Sequence, residues 1–347
     1  MRRLSINGYY YSSTGRPNFN DISFYLPESK NVHELGPYLD PSPLYIFQPL
    51  TEQNIDSARN IIRKRTKEKY NTIVVYDFSM EDGVDKETYD KITSLDVPKH
   101  LTILNTSALT TSPYIKDALY IDLFAIAAVQ RELAGYPANK SKIKDRDNRI
   151  NLLVGSVSKN RRTDTLYRLH QQNYLKHMLL GLLGDPKELT IQDETFINDI
   201  MQYWGSKDDV PLTTNNSSQG YSDNSRIYDQ SQVSYICETW EPKKFSEHTF
   251  ITEKTYRSIL NRHPFVIQGP NGILADLKSK GFKTFSPFID ENYENDIDLT
   301  ISAAKSLLQA VNDHPDQIEE IVEHNYKNLH KLAQEQLTML EVQLNAF

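Results

Sequence analysis

Short apolar runs alternate with amphipathic stretches along most of the chain, a pattern typical of an α/β protein. Several of these runs are rich in β-branched and aromatic residues and end at polar residues, which favours buried strands over helices. The strands predicted in this way cover residues 72–77, 100–104, 150–154, 233–237 and 265–267. Because helical stretches separate them, we expect the strands to pair in parallel.

An amphipathic stretch predicts a helix at 51–70, a strongly apolar tract predicts one at 120–133, and a further helix is predicted at 163–171. Residues 137–149 are polar, basic and without periodicity, and are interpreted as a linker between domains. Residues 205–232 contain almost no large aliphatic side chains, which predicts a long surface loop, partly disordered or able to close over a substrate.

A length of 347 residues favours two domains of ordinary size. The predicted order places an N-terminal α/β domain at 1–140, a second α/β domain at 150–295 and a group of C-terminal helices at 296–347. Neither α/β domain contains the glycine-rich fingerprint of a dinucleotide-binding fold. The sequence therefore gives no support for a nicotinamide or flavin cofactor.

Composition narrows the classes of protein further. The net charge of −7 argues against general affinity for nucleic acid, and the single cysteine excludes an internal disulfide framework. No stretch approaches the roughly 18 apolar residues that a membrane span needs. The first residues, MRRLSINGYYYSS, lack an apolar signal region, so we expect a cytoplasmic protein.

Polar residues with a defined spacing follow the strand at 233–237. Glu238 ends that strand, and Thr252 is a candidate N-cap for a helix that begins with Glu253 and Lys254. A helix N-terminus and a lysine favour a bound diphosphate, whereas the carboxylates suit sugar or ribose hydroxyls. The alternative is an ordinary solvated first turn, which is the commoner meaning of an isolated Thr-Glu-Lys sequence.

A second polar segment follows the strand at 150–154. Ser156 lies in a turn of small residues, and Arg161 and Arg162 lie at the start of the next helix. Backbone N–H groups and an arginine fork at such a position can bind phosphate. Ordinary solvent-facing arginines explain the same residues equally well.

The order of these motifs resembles the donor-binding half of GT-B glycosyltransferases, most closely the fucosyltransferase-like enzymes and related glycosyltransferases of large phages and bacteria. The resemblance covers roughly residues 150–295 and rests on the sequences Glu238-Thr239, Phe250-Ile251-Thr252-Glu253-Lys254-Thr255-Tyr256, His263-Pro264-Phe265-Val266 with Gly269, Gly281-Phe282-Lys283-Thr284-Phe285 and Phe288-Ile289-Asp290-Glu291-Asn292-Tyr293. It implies two Rossmann-like domains, with the acceptor on the N-terminal one and the last helices packing back on both.

The resemblance also implies an activity. It predicts an inverting, metal-independent transfer of a sugar from a nucleoside-diphosphate-sugar to a hydroxyl, with no further cofactor. The acceptor is either a glycan or a modified base in phage DNA, in the second case inside the host cytoplasm. A non-catalytic nucleotide or glycan sensor that retains the fold is the alternative. The protein is expected to be a monomer or a dimer.

Carboxylates cluster beyond the strand at 72–77, where an inverting transfer would hold its general base. By similarity with the family, Glu81 is the first candidate, followed by Asp82 and Asp77. The same acids are equally suited to capping the loop and a helix predicted at 86–93.

Two Asp-x-Asp sequences, at 145–147 and 296–298, have the bare pattern of a metal site on a diphosphate. Neither follows an apolar strand, since the first lies in the predicted linker and the second at a predicted helix start. No metal site is therefore predicted.

Overall fold

The computed structural model describes residues 2–6, 10–11, 17–18, 22–26, 44–47, 73–77, 99–105, 118–133, 138–154, 160–182, 189–205, 225–238, 249 and 251–345. Internal contacts divide the chain into two compact units. Unit 1 consists of Met1–Leu133 together with Lys331–Phe347, and unit 2 consists of Ala134–His330.

Unit 1 contains a four-stranded parallel sheet and two small antiparallel pairs. The parallel strands lie in chain order and are β5 (Leu44–Phe47), β6 (Ile73–Asp77), β7 (Lys99–Asn105) and β8 (Ala118–Ile121). The antiparallel pairs are β1 (Arg2–Ile6) with β4 (Ile22–Leu26) and β2 (Tyr10–Tyr11) with β3 (Pro17–Asn18). The strands predicted at 72–77 and 100–104 are thus confirmed. The helix predicted at 51–70 lies outside the described residues.

Composition predicted a single helix for the apolar tract at 120–133, but this tract contains the end of a strand and a separate helix. Its first residues belong to β8, and helix α1 covers only Leu123–Leu133. Asp122 separates the two elements, and its carboxylate accepts a hydrogen bond from the backbone N–H of Ala125 at 3.1 Å. An aspartate that caps the first turn starts a helix where hydrophobicity alone gives no boundary.

Unit 2 is built on a second four-stranded parallel sheet, in which the strand order differs from the chain order. The strands are β9 (Ile150–Val154), β10 (Met178–Leu182), β11 (Val233–Cys237) and β12 (Phe265–Gln268), and their spatial order is β10-β9-β11-β12. All their pairings are parallel. The strands predicted at 150–154, 233–237 and 265–267 are therefore confirmed.

Helices cover this sheet and continue to the end of the chain. They are α2 (Asn160–Gln171), α3 (Glu194–Gly205), α4 (Ser225–Asp229), α5 (Glu253–Leu260), α6 (Ile273–Ser279), α7 (Ile297–Asp313) and α8 (Pro315–Asn345). Short 3-10 helices cover Ile143–Asp145 and Leu175–His177. Helix α7 packs on β11 and β12.

The segment interpreted as a linker is a packed part of unit 2. Four of its residues are buried, namely Ala138, Asn139, Ile143 and Arg146. The guanidinium of Arg146 donates to the side-chain and backbone oxygens of Ser141 and to the backbone oxygen of Arg262. The basic composition that suggested solvation instead supplies buried hydrogen bonds.

The loop predicted at 205–232 is also more ordered at its end than its composition indicated. Helix α4 lies within it, and Ile227 and Tyr228 are buried in a cluster with Leu179 of β10. Residues 206–224 lie outside the described residues.

The structure confirms a mixed α/β fold with parallel sheet. The arrangement of two Rossmann-like domains of GT-B type stays a prediction. Among the described helices, none combines the length and the apolar character that crossing a membrane requires.

The buried side chain of Asn325 on α8 makes hydrogen bonds to a distant backbone segment within unit 2. Asn325 is only 1% exposed, and its amide binds both the backbone N–H and the backbone oxygen of Lys283, at 2.7 and 2.8 Å. Replacing Asn325 with leucine leaves the backbone N–H and the backbone oxygen of Lys283 without the amide that binds them. We therefore expect the free energy of unfolding to fall by about 1–2 kcal/mol in denaturant titrations. Asn312→Leu, at an exposed position on α7, is the control. An equal loss of stability in this variant would contradict a specific stabilising role of the buried Asn325 amide.

Candidate functional site

The strand order of unit 2 places a reversal in the direction of the chain connections at the carboxyl edge of its sheet, between β9 and β11, and this position is termed the crevice. From β9 the chain passes through α2 to β10 on one side, and from β11 it passes through α5 to β12 on the other. The two connections lead away from each other, so the position between β9 and β11 is a topological switch point of the sheet. Ligands of open α/β sheets bind at such a topological switch point, outside the carboxyl ends of the strands.

Helix α2 supplies two arginines to one side of this crevice. The helix begins at Asn160, three residues before the predicted start, so Arg161 and Arg162 lie in its first turn. Arg162 is only 6% exposed, which contradicts the interpretation of it as a solvent-facing residue. Arg161 donates to the backbone and side-chain oxygens of Asn295 at 2.5 and 2.6 Å. Ser156, the third residue predicted on this side, lies outside the described residues.

Helix α5 forms the other side, and Thr252 is its N-cap as predicted. The backbone of Thr252 is extended, and its hydroxyl accepts a hydrogen bond from the N–H of Lys254 at 3.3 Å. Burial raises the pKa of the Glu253 carboxyl, but the positive charges of Lys254 and Arg257, together with hydrogen bonds, outweigh it and hold that pKa below its usual value. Glu253 is therefore an ionised acceptor at the start of the helix.

Glu238 follows β11, and its carboxylate is directed at the N-terminus of α5. One oxygen accepts from the backbone N–H of Thr252 at 2.9 Å and from the hydroxyl of Thr255 at 2.6 Å. The other accepts a short hydrogen bond from the hydroxyl of Thr252. Residues of α5 and its cap therefore provide the bonds that the sequence assigned to ligand hydroxyls.

The ammonium of Lys254 lies between several oxygens of the same group. Its Nζ is 3.1 Å from the hydroxyl oxygen of Thr252, 3.6 Å from Oε2 of Glu238 and 3.7 Å from Oε1 of Glu253. The side chain is 15% exposed, so Lys254 is not the freely solvated lysine of the alternative interpretation. Its position is set by the two carboxylates.

The two sides of the crevice meet at the last residue of β11. Burial raises the pKa of the Cys237 thiol to about 11, against the opposing positive charges of Arg162, Lys254 and Arg161. Cations from α2 and from α5 therefore act on the same strand end. The structure thus brings together most of the predicted donor-binding residues, and Cys237 itself is a buried thiol without thiolate character.

A polar cluster beneath this strand end escaped the sequence analysis. The side-chain oxygen of Gln268 is 2.7 Å from the hydroxyl of Thr165 and 2.9 Å from the hydroxyl of Tyr235, whereas its buried amide nitrogen has no hydrogen-bond partner among the described residues. Rotating the Gln268 amide by 180° exchanges its oxygen and its nitrogen, and one of these two atoms still lacks a hydrogen-bond partner among the described residues. The only signal in the sequence was a glutamine at the end of an apolar strand.

The predicted catalytic carboxylates fall in the other unit. Asp77 is the last residue of β6, where its Cα is in register with that of Ile103 on β7. Glu81 and Asp82 lie outside the described residues. Their role as general base stays a prediction.

The Asp-x-Asp sequence at 296–298 makes hydrogen bonds within the fold. Asp296 caps α7 by accepting from the backbone N–H of Leu299 at 2.9 Å, and Asp298 accepts from the side chain of Gln172. Residues 145–147 lie at the end of a 3-10 helix and just beyond it. Among the described residues, no group of three or more His, Cys, Asp and Glu side chains is arranged to hold a metal ion.

These features define the site as a group of three cations, Arg161, Arg162 and Lys254, with the carboxylates of Glu238 and Glu253 beside Lys254 and two helix N-termini at the same sheet edge. The case for a ligand rests on this geometry. No protein-family model matches the chain, and no curated protein matches it either.

Proposed function

We propose that the chain is a glycosyltransferase whose unit 2 binds a nucleoside-diphosphate-sugar at the crevice between β9 and β11. The observation that carries the proposal is the placement of cations at the topological switch point of the sheet: Arg161 and Arg162 lie in the first turn of α2, after β9, and Lys254 lies in the first turn of α5, after the neighbouring β11. A diphosphate is the ligand group that best matches several cations beside helix N-termini.

The two sides of the crevice would bind different parts of the donor. The arginines of α2 offer planar guanidinium groups, which suit phosphate oxygens. On the side of α5, the ionised Glu253 would accept hydrogen bonds from ribose or sugar hydroxyls, with Lys254 limiting its repulsion of the phosphates. Charge and hydroxyl recognition are thus divided between α2 and α5.

The proposed chemistry needs one proton acceptor beyond this site. The acceptor hydroxyl oxygen attacks the anomeric carbon, the bond from that carbon to the diphosphate breaks, and the hydroxyl proton passes to a carboxylate. Glu81, Asp82 and Asp77 stay the predicted candidates for that carboxylate, and the cations of unit 2 would stabilise the departing diphosphate. The acceptor would be a glycan or a modified base in phage DNA.

Calorimetry and thermal unfolding with UDP-, GDP-, ADP-, dTDP- and CMP-sugars test the donor class. One nucleotide-sugar is expected to bind saturably, to raise the melting temperature by mass action and to bind equally well with a chelator present. Binding that disappears with the chelator would contradict a metal-independent site. A failure of every donor to bind would contradict the proposal.

Arg162→Ala is expected to weaken the binding of that nucleotide-sugar by about tenfold or more, because the loss of a buried cation removes a phosphate partner. Arg168→Ala is the matched control, since Arg168 lies on the same helix but is exposed. Equal affinities of the two variants would place the phosphate elsewhere.

Measuring the release of the free nucleoside diphosphate separates the enzyme from the non-catalytic alternative. An enzyme hydrolyses or transfers the sugar of a bound donor, slowly even without its acceptor, whereas a sensor returns the donor intact. Donor binding without any release, across glycan and DNA acceptors, would favour the sensor.

A further inference from the structure

We propose that Glu238 is a positioning residue that fixes the N-terminus of α5 and the ammonium of Lys254, and that it does not contact the donor. The inference rests on the proposed function, because it concerns how the donor site is assembled. It assigns Glu238 a different role from the hydroxyl acceptor that its place after a strand suggested.

The hydrogen-bond inventory of Glu238 is the first argument. Its side chain is 0% exposed, and within the described part of the chain its two oxygens accept three hydrogen bonds, which come from Thr252 and Thr255. An ionised carboxylate in protein accepts bonds but donates none, so these contacts use most of its capacity. A ligand hydroxyl would have to displace helix α5 to reach it.

The hydroxyl of Thr252 extends the same arrangement to Lys254. It donates its one proton to Glu238 and accepts from the backbone N–H and from the Nζ of Lys254. Each bonding position of this hydroxyl is therefore used. Glu238 thereby orients Lys254 both directly, at 3.6 Å, and through Thr252.

Charge is the second argument. A nearly buried ammonium needs a carboxylate beside it, and a buried carboxylate needs a cation or strong donors. At the end of β11, Glu238 provides the carboxylate beside the ammonium of Lys254, and Lys254 provides the cation beside the carboxylate of Glu238. Lys254 is the member of the pair that remains partly exposed, so it is the one able to meet a phosphate oxygen.

The backbone holds Glu238 firmly enough to serve as a reference point. Its N–H donates to the backbone oxygen of Gln268 at 3.0 Å, which continues the pairing of β11 with β12 beyond Cys237. The sheet therefore sets the place of Glu238, and Glu238 sets the place of α5.

Glu238→Gln separates the charge of this residue from its shape. The amide oxygen can still accept from the N–H of Thr252 and the hydroxyl of Thr255, while the amide NH2 replaces the oxygen that faces Lys254. We expect the variant to fold and to lose affinity for the nucleoside diphosphate by about tenfold, with no change in affinity for the nucleoside alone.

A double-mutant cycle with Lys254→Met tests whether Glu238 acts through the lysine. In the Lys254→Met protein, we expect Glu238→Gln to change nucleoside diphosphate affinity by less than about twofold, because its target is already absent. A tenfold loss in both backgrounds, no loss in either, or a matching loss of nucleoside affinity would each overturn the proposal. Glu291→Gln, which breaks the more exposed ion pair with Lys278, is the control and is expected to leave nucleoside diphosphate affinity unchanged.

A second readout needs no nucleotide and so separates failure of this proposal from failure of the proposed function. Lysine acylation, followed residue by residue with mass spectrometry, reports how firmly each ammonium is held. Glu238→Gln is expected to raise the rate at Lys254 several-fold while leaving Lys327, an exposed lysine of α8, unchanged. An unchanged rate at Lys254 would overturn the positioning role, even if the wild-type protein bound no nucleotide at all.

Discussion

Replacing Arg146 by alanine is expected to lower the free energy of unfolding by about 3 kcal/mol, since it leaves buried carbonyl groups unpaired and a cavity in their place. Arg146 is 5% exposed, and its guanidinium donates to the backbone oxygens of Ser141 and Arg262 at 2.7 and 3.1 Å. Burial also lowers the pKa of this guanidinium to about 10, which leaves it charged at neutral pH. Denaturant titration of the full chain measures the loss.

Two further variants distinguish the buried fork from a general effect of removing charge. Arg146→Lys keeps the charge but cannot reach both carbonyls with fixed geometry, so we expect it to recover only part of the stability. Arg149→Ala removes an exposed arginine three residues away and should change little. If Arg146→Ala costs no more than Arg149→Ala, the hydrogen bonds of the buried guanidinium do not stabilise the fold.

Acidification from pH 7.5 to pH 4.5 is expected to remove about 3 kcal/mol of stability through His263 alone. This imidazole is fully buried, where Nε2 is 2.7 Å from the backbone oxygen of Ser231 and Nδ1 is 2.8 Å from the hydroxyl of Ser234. Burial, reinforced by the charge of Arg146, lowers the pKa of His263 to about 3.

The direction of the effect follows from which state binds the proton. Between pH 3 and the ordinary histidine pKa of about 6.5, the unfolded chain binds a proton at residue 263 that the folded protein does not bind. The contribution of His263 is therefore complete above about pH 6.5 and falls by roughly 1.4 kcal/mol for each pH unit below it. It reaches its minimum near pH 3.

A neutral variant isolates this contribution from the other groups that titrate in the same range. Glutamine at position 263 can keep the bond to the backbone oxygen of Ser231 and has no proton to gain. The stability difference between the wild type and His263→Gln, measured at pH 7.5 and at pH 4.5, should shrink by about 3 kcal/mol. A constant difference would mean that the folded imidazole is protonated normally.

The parts of the fold that the sequence predicted well are those specified by neighbouring residues. The strand Val233–Cys237 is an unbroken apolar run between polar residues, and Thr252 begins a helix because its own hydroxyl caps the first turn. Both signals act over a few residues. The grouping of Arg162 with Lys254 was accessible only through the expectation that strands lie parallel, so that their carboxyl ends meet.

The features that the sequence did not predict depend on partners far along the chain. Arg146 is basic and lies in a polar segment, and one of the oxygens to which it donates, the carbonyl of Arg262, lies more than a hundred residues later in the chain. Glu238 was predicted to bind ligand hydroxyls because the residues next to it in the sequence do not indicate that Thr252 and Thr255 donate hydrogen bonds to its carboxylate. Polar residues carry little information about burial until their partners are known.

Helix α8 has a practical consequence for anyone who wishes to study the crevice separately. The helix runs without interruption from Pro315 to Asn345, yet the boundary between the two units falls within it, after His330. A fragment cut at that boundary would end in mid-helix, with its last four carbonyl groups deprived of their donors and its final turns frayed. We therefore expect a fragment of unit 2 to fold stably only if it keeps the later turns of α8. Cutting the chain in a loop cannot separate this unit at its C-terminal side.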